Sequence, residues 1–390
     1  MKMEYANRIN KVPPYLFAEI DREIEEKKAE GMDIINLSVG DPDLPTPDNI
    51  IEALNKAARN PANHRYPSYK GMMEFREAVA HWYDKRFNVS LNPKNEIITL
   101  IGSKEGIAHT PLAFLNRGDV ALVPDPSYPV YKIGTLLAGG KPVSMPLLEE
   151  NRFMPNLDEI DAETRRKAKL MFLNYPNAPT AATADMDFFR EVVDFASDNE
   201  LIVCHDNPYS EMTFDKYKAM SFLEVKGAKD VGVEFNSLSK TFNMTGWRIG
   251  MAVGSSEIIS GLGKVKENVD SGAFQAVQAA GVEALRGPMD SVRKNMKIIE
   301  KRRDYMVESL NNAGWDINKP RATFYLWFPI PAGYNSSIEF CSQLLNKTGV
   351  VLTPGVGFGK HGEGYVRCAL TQTIDRLKEA VERIKNADLR

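Results

Sequence analysis

Asn236-Ser237-Leu238-Ser239-Lys240-Thr241-Phe242 runs on through Asn243-Met244-Thr245 to Gly246-Trp247-Arg248. The residues that lead into it, 231–236, alternate Val231, Val233 and Phe235 with smaller or polar residues and predict a strand. Lys240 therefore sits in the first turn after a strand, among small hydroxylated residues. A lone lysine is usually solvated. One in an interior turn can lose its charge, because burial penalises an ammonium. Arg248 follows eight residues later and offers a planar fork suited to phosphate.

Outward from this stretch, the strand-then-turn pattern repeats. Residues 96–101, 120–123, 169–173 and 201–204 are short apolar runs. Residues 104–115, 128–138 and 185–199 read as helices between them. Near-continuously apolar strands alternating with helices predict a parallel sheet covered on both faces and wound by right-handed crossovers. Ligands in such sheets sit beyond the carboxyl ends of the strands. The flanks differ. Residues 15–30 predict an amphipathic helix stopped by Gly31, with a short strand at 34–39. Pro42, Pro45 and Pro47 mark a boundary near residue 46. From about residue 288 a long helix leads to Gly314, and strands are expected at 324–328 and 365–370. A last helix carries Ile374, Leu377, Val381 and Ile384 on one stripe, so this end reads as a smaller α+β unit.

Composition sets the outer limits. At about 150 residues per domain, the chain's 390 residues predict two to three domains. Its 49 basic and 52 acidic residues give a formal charge of −3, which argues against a nucleic-acid binder or a basic membrane binder. No apolar run is long enough to span a bilayer, and the polar start, Met-Lys-Met-Glu-Tyr, is unlike a signal peptide. Cys204, Cys341 and Cys368 are too sparse for a disulfide framework or a zinc site, so a reducing cytoplasm is the expected setting and no metal is expected.

Four further features lie at predicted strand ends or further along. Gly102-Ser103-Lys104 opens a helix, where free N–H groups can bind phosphate; alone it is an ordinary cap. Tyr128 follows a strand and can stack on a flat ring or simply pack. Asp206-Asn207-Pro208-Tyr209 ends a buried strand, where a carboxylate needs a cationic or hydrogen-bonded partner. Arg367 sits in the strand 365–370. Each has a plain structural reading. Pyridoxal phosphate explains them together: it needs a lysine for its Schiff base, an acid on its pyridinium nitrogen and a phosphate site.

In this order and spacing the motifs resemble the class I/II aminotransferases of the fold-type I pyridoxal-phosphate enzymes. Pro13-Pro14-Tyr15-Leu16-Phe17-Ala18-Glu19-Ile20 and Gly40-Asp41-Pro42-Asp43-Leu44-Pro45-Thr46-Pro47 carry the likeness, with His205–Glu211, Ser237–Arg248 and Asp270–Gln278. The resemblance runs from about residue 12 to the C-terminus. It implies a large domain, 47–285, holding a mostly parallel sheet between helices. A discontinuous small α+β domain would come from 1–46 and 286–390. Lys240 would carry the Schiff base, Asp206 would pair with the pyridinium nitrogen and Tyr209 with the ring hydroxyl. Ser103, Lys104, Ser237 and Arg248 would hold the phosphate, and Tyr128 would stack on the ring. Arg367 would clamp the substrate α-carboxylate, with Tyr15 and Gly40 touching substrate. Tyr66 would reach the phosphate of the second subunit of a homodimer.

The family's Asn-Pro-Thr-Gly motif is altered here. The stretch reads Asn174-Tyr175-Pro176-Asn177-Ala178-Pro179-Thr180-Ala181, with Ala178 and Ala181 in the Asn and Gly places. Asn177 stands one position early and takes over the bond to the ring hydroxyl only if the backbone shifts. The implied reaction is ping-pong transamination between an amino acid and a 2-oxo acid, LL-2,6-diaminopimelate and 2-oxoglutarate being the expected pair. The alternatives are an alanine, aspartate or aromatic aminotransferase, or a carbon–sulfur lyase on the same cofactor.

Overall fold

The structure is a computed structural model; it describes residues 3–13, 16–387 and 389, with 16–19 by backbone alone. A seven-stranded sheet forms the centre. Its strands are Ile97–Leu100 (β1), Val120–Asp125 (β2), Lys141–Pro146 (β3), Ala168–Asn174 (β4), Ile202–Asp206 (β5), Gly232–Ser237 (β6) and Gly250–Gly254 (β7). Their spatial order is β1-β7-β6-β5-β4-β2-β3. The chain folds this way because the central strands have no solvent-facing side: Leu170 to Leu173 and Val203 to Cys204 are all fully buried. One core packs helices such as Met73–Phe87 and Met186–Asp198 against one face, and a second packs Ser103–Phe114 and Ser256–Val269 against the other.

Two strands were not anticipated. β3 is an edge strand with two prolines and little burial, so it lacks the apolar signature of its neighbours. β7, Gly-Met-Ala-Val-Gly, pairs antiparallel to both β6 and β1, so the sheet is mostly rather than wholly parallel. The strand expected at 34–39 contracts to Ile35–Asn36, which pairs in parallel with Val350–Val351. The helix expected at 128–138 is Val130–Leu137.

A second core joins both ends of the chain. The strands Tyr325–Pro329, Tyr365–Ala369 and Thr353–Pro354 form a small antiparallel sheet. Ile35 and Leu37 pack in the same cluster as Phe340, Leu344, Leu377 and Val381. Arg376 and Arg383, on the last helix, both bond the Asp33 carboxylate and hold it below its ordinary value. Arg302 is buried and donates from both Nη atoms to Asp43, at 2.7 and 2.8 Å. The helix Asp290–Asn312 spans the two cores: Val292 packs with the central sheet, and Ile299, Met306 and Leu310 with the small one. No helix among the described residues is long and apolar enough to cross a membrane. All three cysteines are buried and free.

The turn after β4 carries a strained residue. Ala181, where the related motif has glycine, adopts φ +59°. A side chain in that region costs about 1–2 kcal/mol. Ala181→Gly is therefore expected to raise the unfolding free energy by about 1 kcal/mol, after some loss to chain entropy. A urea midpoint that stays put or falls would show that the turn gains more from the methyl group's packing.

Candidate active site

A cavity of about 440 Å³ opens at the carboxyl ends of the central strands, against the small sheet. Each strand end delivers one part. β5 ends on Asp206, and β6 ends on Ser237, which leads through the short helix Leu238–Thr241 to Lys240. β1 leads to Gly102 and the helix Ser103–Phe114. Ser237 Oγ accepts the N–H of Ser239 at 3.2 Å and fixes the start of the lysine turn.

Asp206 is buried, and burial pushes its carboxyl up to about 7; the Tyr131 hydrogen bond and the charge of His205 pull the other way. Tyr131 donates to Oδ2 at 2.8 Å, and its ring stacks on Phe172 at 5.2 Å. Oδ1 has no partner. Lys240 Nζ donates to the Gly40 carbonyl at 2.7 Å. Burial lowers the Lys240 pKa from its ordinary value, with the positive charges of Arg367 and Arg248 adding to the shift. Tyr209 donates to or accepts from Tyr325 across 3.3 Å between hydroxyls.

The rim is cationic. Arg248 has φ +57° and donates to the Thr245 carbonyl at 2.7 Å. Gly102 lies beneath its guanidinium: a Cβ there would stand 2.5 Å from Arg248 Nη2, and φ at Gly102 is +112°. Both facts demand glycine. Lys104 Nζ stands 5.8 Å from the centre of the Tyr128 ring. Across the cavity, Arg367 is sandwiched between Tyr325 and Phe358, 4.4 and 4.6 Å from their ring centres, and donates to the Ser38 carbonyl at 2.7 Å. Gly40 packs directly on Tyr325, whose hydroxyl lies 1.8 Å from where a Cβ would be.

The cavity thus gathers Ser103, Lys104, Tyr128, Asp206, Tyr209, Ser237, Lys240, Arg248, Gly40 and Arg367. Asn177 is not among them. Its amide is wholly buried, donating to the Asn174 carbonyl and accepting from Thr180 N and Oγ1. No backbone shift brings it round, and Ala178 occupies the wall instead. Asn174 also lines the cavity, but its amide holds Asp206 O and Ala178 N. Tyr66 is 88% exposed on the surface, away from this chain's own cavity. Tyr15 lies outside the described residues. Tyr131 and Tyr325 were missed. Tyr131 follows Tyr128 by three residues at a helix start, a spacing that places both on one face. Tyr325 reads as one more apolar strand residue. Apart from the cavity, Glu105, His109 and Asp270 could hold a cation, but the buried Lys266 ammonium already bonds both carboxylates.

The donor set fits pyridoxal phosphate. A bare, buried carboxylate oxygen awaits a protonated ring nitrogen, and an amine depressed by burial awaits an aldehyde. A helix N-terminus beside an arginine awaits a dianion.

Comparison with known proteins agrees. The family "Aminotransferase class I and II" matches residues 32–384. LL-diaminopimelate aminotransferase of Halothermothrix orenii is 55% identical over 388 residues, covering 100% of both chains. That of Nitratidesulfovibrio vulgaris is 57% identical over 382 residues, covering 98% of each. Among solved structures, substrate-bound BacF from Bacillus subtilis superposes with a TM-score of 0.96 at 38% identity, covering 100% of this chain and 98% of its own. Thermus thermophilus aspartate aminotransferase, as a single mutant, gives 0.93 at 25% identity, covering 99% and 100%. The chain belongs to the class I and II aminotransferases, pyridoxal-phosphate-dependent enzymes of fold type I.

Proposed function

We propose that this aminotransferase moves the amino group of LL-2,6-diaminopimelate to 2-oxoglutarate. The observation that carries the substrate is the shared name of full-length relatives at 51% to 57% identity. In this reading Lys240 Nζ is the amine that would hold the cofactor through its aldehyde until substrate binds. The bound cofactor supplies an electron-withdrawing ring that stabilises charge left on the substrate α-carbon. Lys240 Nζ takes the α-proton and later returns a proton, as base and then acid. Its depressed pKa favours the neutral amine that this needs.

Asp206 Oδ1 would receive the ring N–H, and Tyr131 holds the carboxylate in place. Tyr209 would meet the ring hydroxyl. Ser103, Lys104, Ser237 and Arg248 would hold the phosphate, and Tyr128 would cover the ring face. Arg367 takes the α-carboxylate, its stacking on Tyr325 and Phe358 fixing the fork for bidentate bonding. The exposed Tyr66 serves a second copy of the chain in a homodimer.

Lys240→Ala is expected to abolish the absorption band of the lysine-bound cofactor and to cut turnover by about 10³-fold or more; a coloured, active variant would refute the assignment. Holoenzyme mixed with single amino acids, without acceptor, should convert fastest to the aminated cofactor with LL-diaminopimelate. Faster conversion by alanine, aspartate or an aromatic amino acid would move the substrate, and pyruvate with ammonia would point to a lyase. Ala178→Asn should add a donor to the ring hydroxyl. Cofactor affinity is then expected to rise, by the 1–3 kcal/mol scale of a buried hydrogen bond, or roughly tenfold. Unchanged affinity in an equilibrium titration would place residue 178 out of reach of the ring.

A further inference from the structure

Beside Asp206 on the same strand, His205 is wholly buried and takes none of the roles above. Its two ring nitrogens both face acceptors. Nδ1 lies 2.9 Å from Glu234 Oε2, and Nε2 lies 3.1 Å from the Tyr175 carbonyl oxygen. A carbonyl cannot donate, so Nε2 carries a proton. Glu234 cannot donate either, because other donors fill it. Oε2 also accepts from Ser221 Oγ at 2.7 Å and Phe222 N at 3.1 Å. Oε1 accepts from Tyr83 Oη at 2.8 Å and Asn207 Nδ2 at 3.1 Å. Glu234 is thus left as an acceptor on every side, and Nδ1 faces it.

Burial alone would push the Glu234 carboxyl up. The hydrogen bond and charge of His205, with the Ser221 and Tyr83 hydroxyls, hold it below its ordinary value. The rings of Phe189 and Phe222 also pack beside the histidine, their centres 5.1 and 6.3 Å away. An ion pair this dry is retained only with every polar atom satisfied, which these bonds achieve.

Its position gives it a use. The Tyr175 carbonyl belongs to the turn that brings Ala178 to the cavity wall, and Asn207 follows Asp206 directly. Glu234 lies on β6, the strand that delivers Lys240. We propose that His205 is a buried imidazolium, locked by Glu234, that positions the Asp206 carboxylate and the 174–181 turn against the cofactor ring. Where the family's asparagine would tie this turn to the cofactor, this chain has Ala178, and the turn is held from behind. The charge acts on Asp206 too. Tyr131, His205 and Lys240 favour its ionised form against burial, and Glu234 opposes it. The inference rests on the reading of Asp206 as the partner of the ring nitrogen.

Two measurements test it. NMR of holoenzyme with isotopically labelled histidine is expected to show both His205 ring nitrogens protonated at neutral pH; a neutral, singly protonated ring overturns the proposal. His205→Gln keeps a donor but removes the charge. Its kcat is expected to fall about tenfold, the change that one pKa unit at Asp206 would bring. The amino-donor KM should be unchanged and the cofactor spectrum altered. A folded His205→Gln protein with wild-type kcat and spectrum overturns the proposal. If that variant fails to fold, the wild-type spectrum decides, since it alone reports the charge. Asp206→Asn, assayed for cofactor affinity alongside, separates the two readings: full affinity there refutes the role of Asp206 and leaves the charge state of His205 standing.

Discussion

One oxygen of the Asp206 carboxylate is bonded by Tyr131 and the other has no protein partner, at the buried end of a central strand. A buried carboxylate without a directly bonded cation is costly, and burial pushes this one up to about 7. The surrounding structure meets half of the demand. Tyr131 supplies one hydrogen bond and fixes the orientation of the group; a protonated ring nitrogen would supply the rest. The Gly102–Lys104 turn, Arg248 and the lysine turn stand around the same point, because they grow from the ends of neighbouring strands. The site is a set of strand ends whose spacing the sheet dictates.

The small sheet contributes what the large one cannot. Arg367 comes from near the C-terminus and Gly40 from near the N-terminus, and both meet Tyr325. The two chain ends are joined by Asp33 with Arg376 and Arg383, and the N-terminal segment is tied to the long helix by Asp43 with Arg302. The first pair is solvent-exposed and adds little alone. Arg302 is buried, so its bidentate bond to Asp43 pins the N-terminal segment firmly over the site.

Much of this was legible because strand ends announce themselves. An apolar run followed at once by Asp206 or by Ser237-Leu238-Ser239-Lys240 places a polar group where ligands bind, and the structure brings those groups together. Direction was less legible. Asn177 and Ala178 are adjacent, and which one faces the cavity depends on hydrogen bonds within the turn that no spacing rule reveals. The antiparallel β7 was hidden because glycine and alanine give a weak strand signal. Tyr325 was hidden for the opposite reason: its strand is so apolar that a hydroxyl pointing into the cavity looked like one more core residue.

Gly40 carries a wider consequence. The missing side chain at that position is filled by the Tyr325 hydroxyl, which also meets Tyr209, while the Tyr325 ring supports Arg367. The Gly40 carbonyl meanwhile holds the amine of Lys240. The loop at residue 40, Tyr209, Arg367 and Lys240 are thus geared through a space the size of one methyl group. Residue 40 has little freedom to vary: a single added carbon there would disturb all of these contacts at once, so change in the cavity must come from elsewhere on its rim.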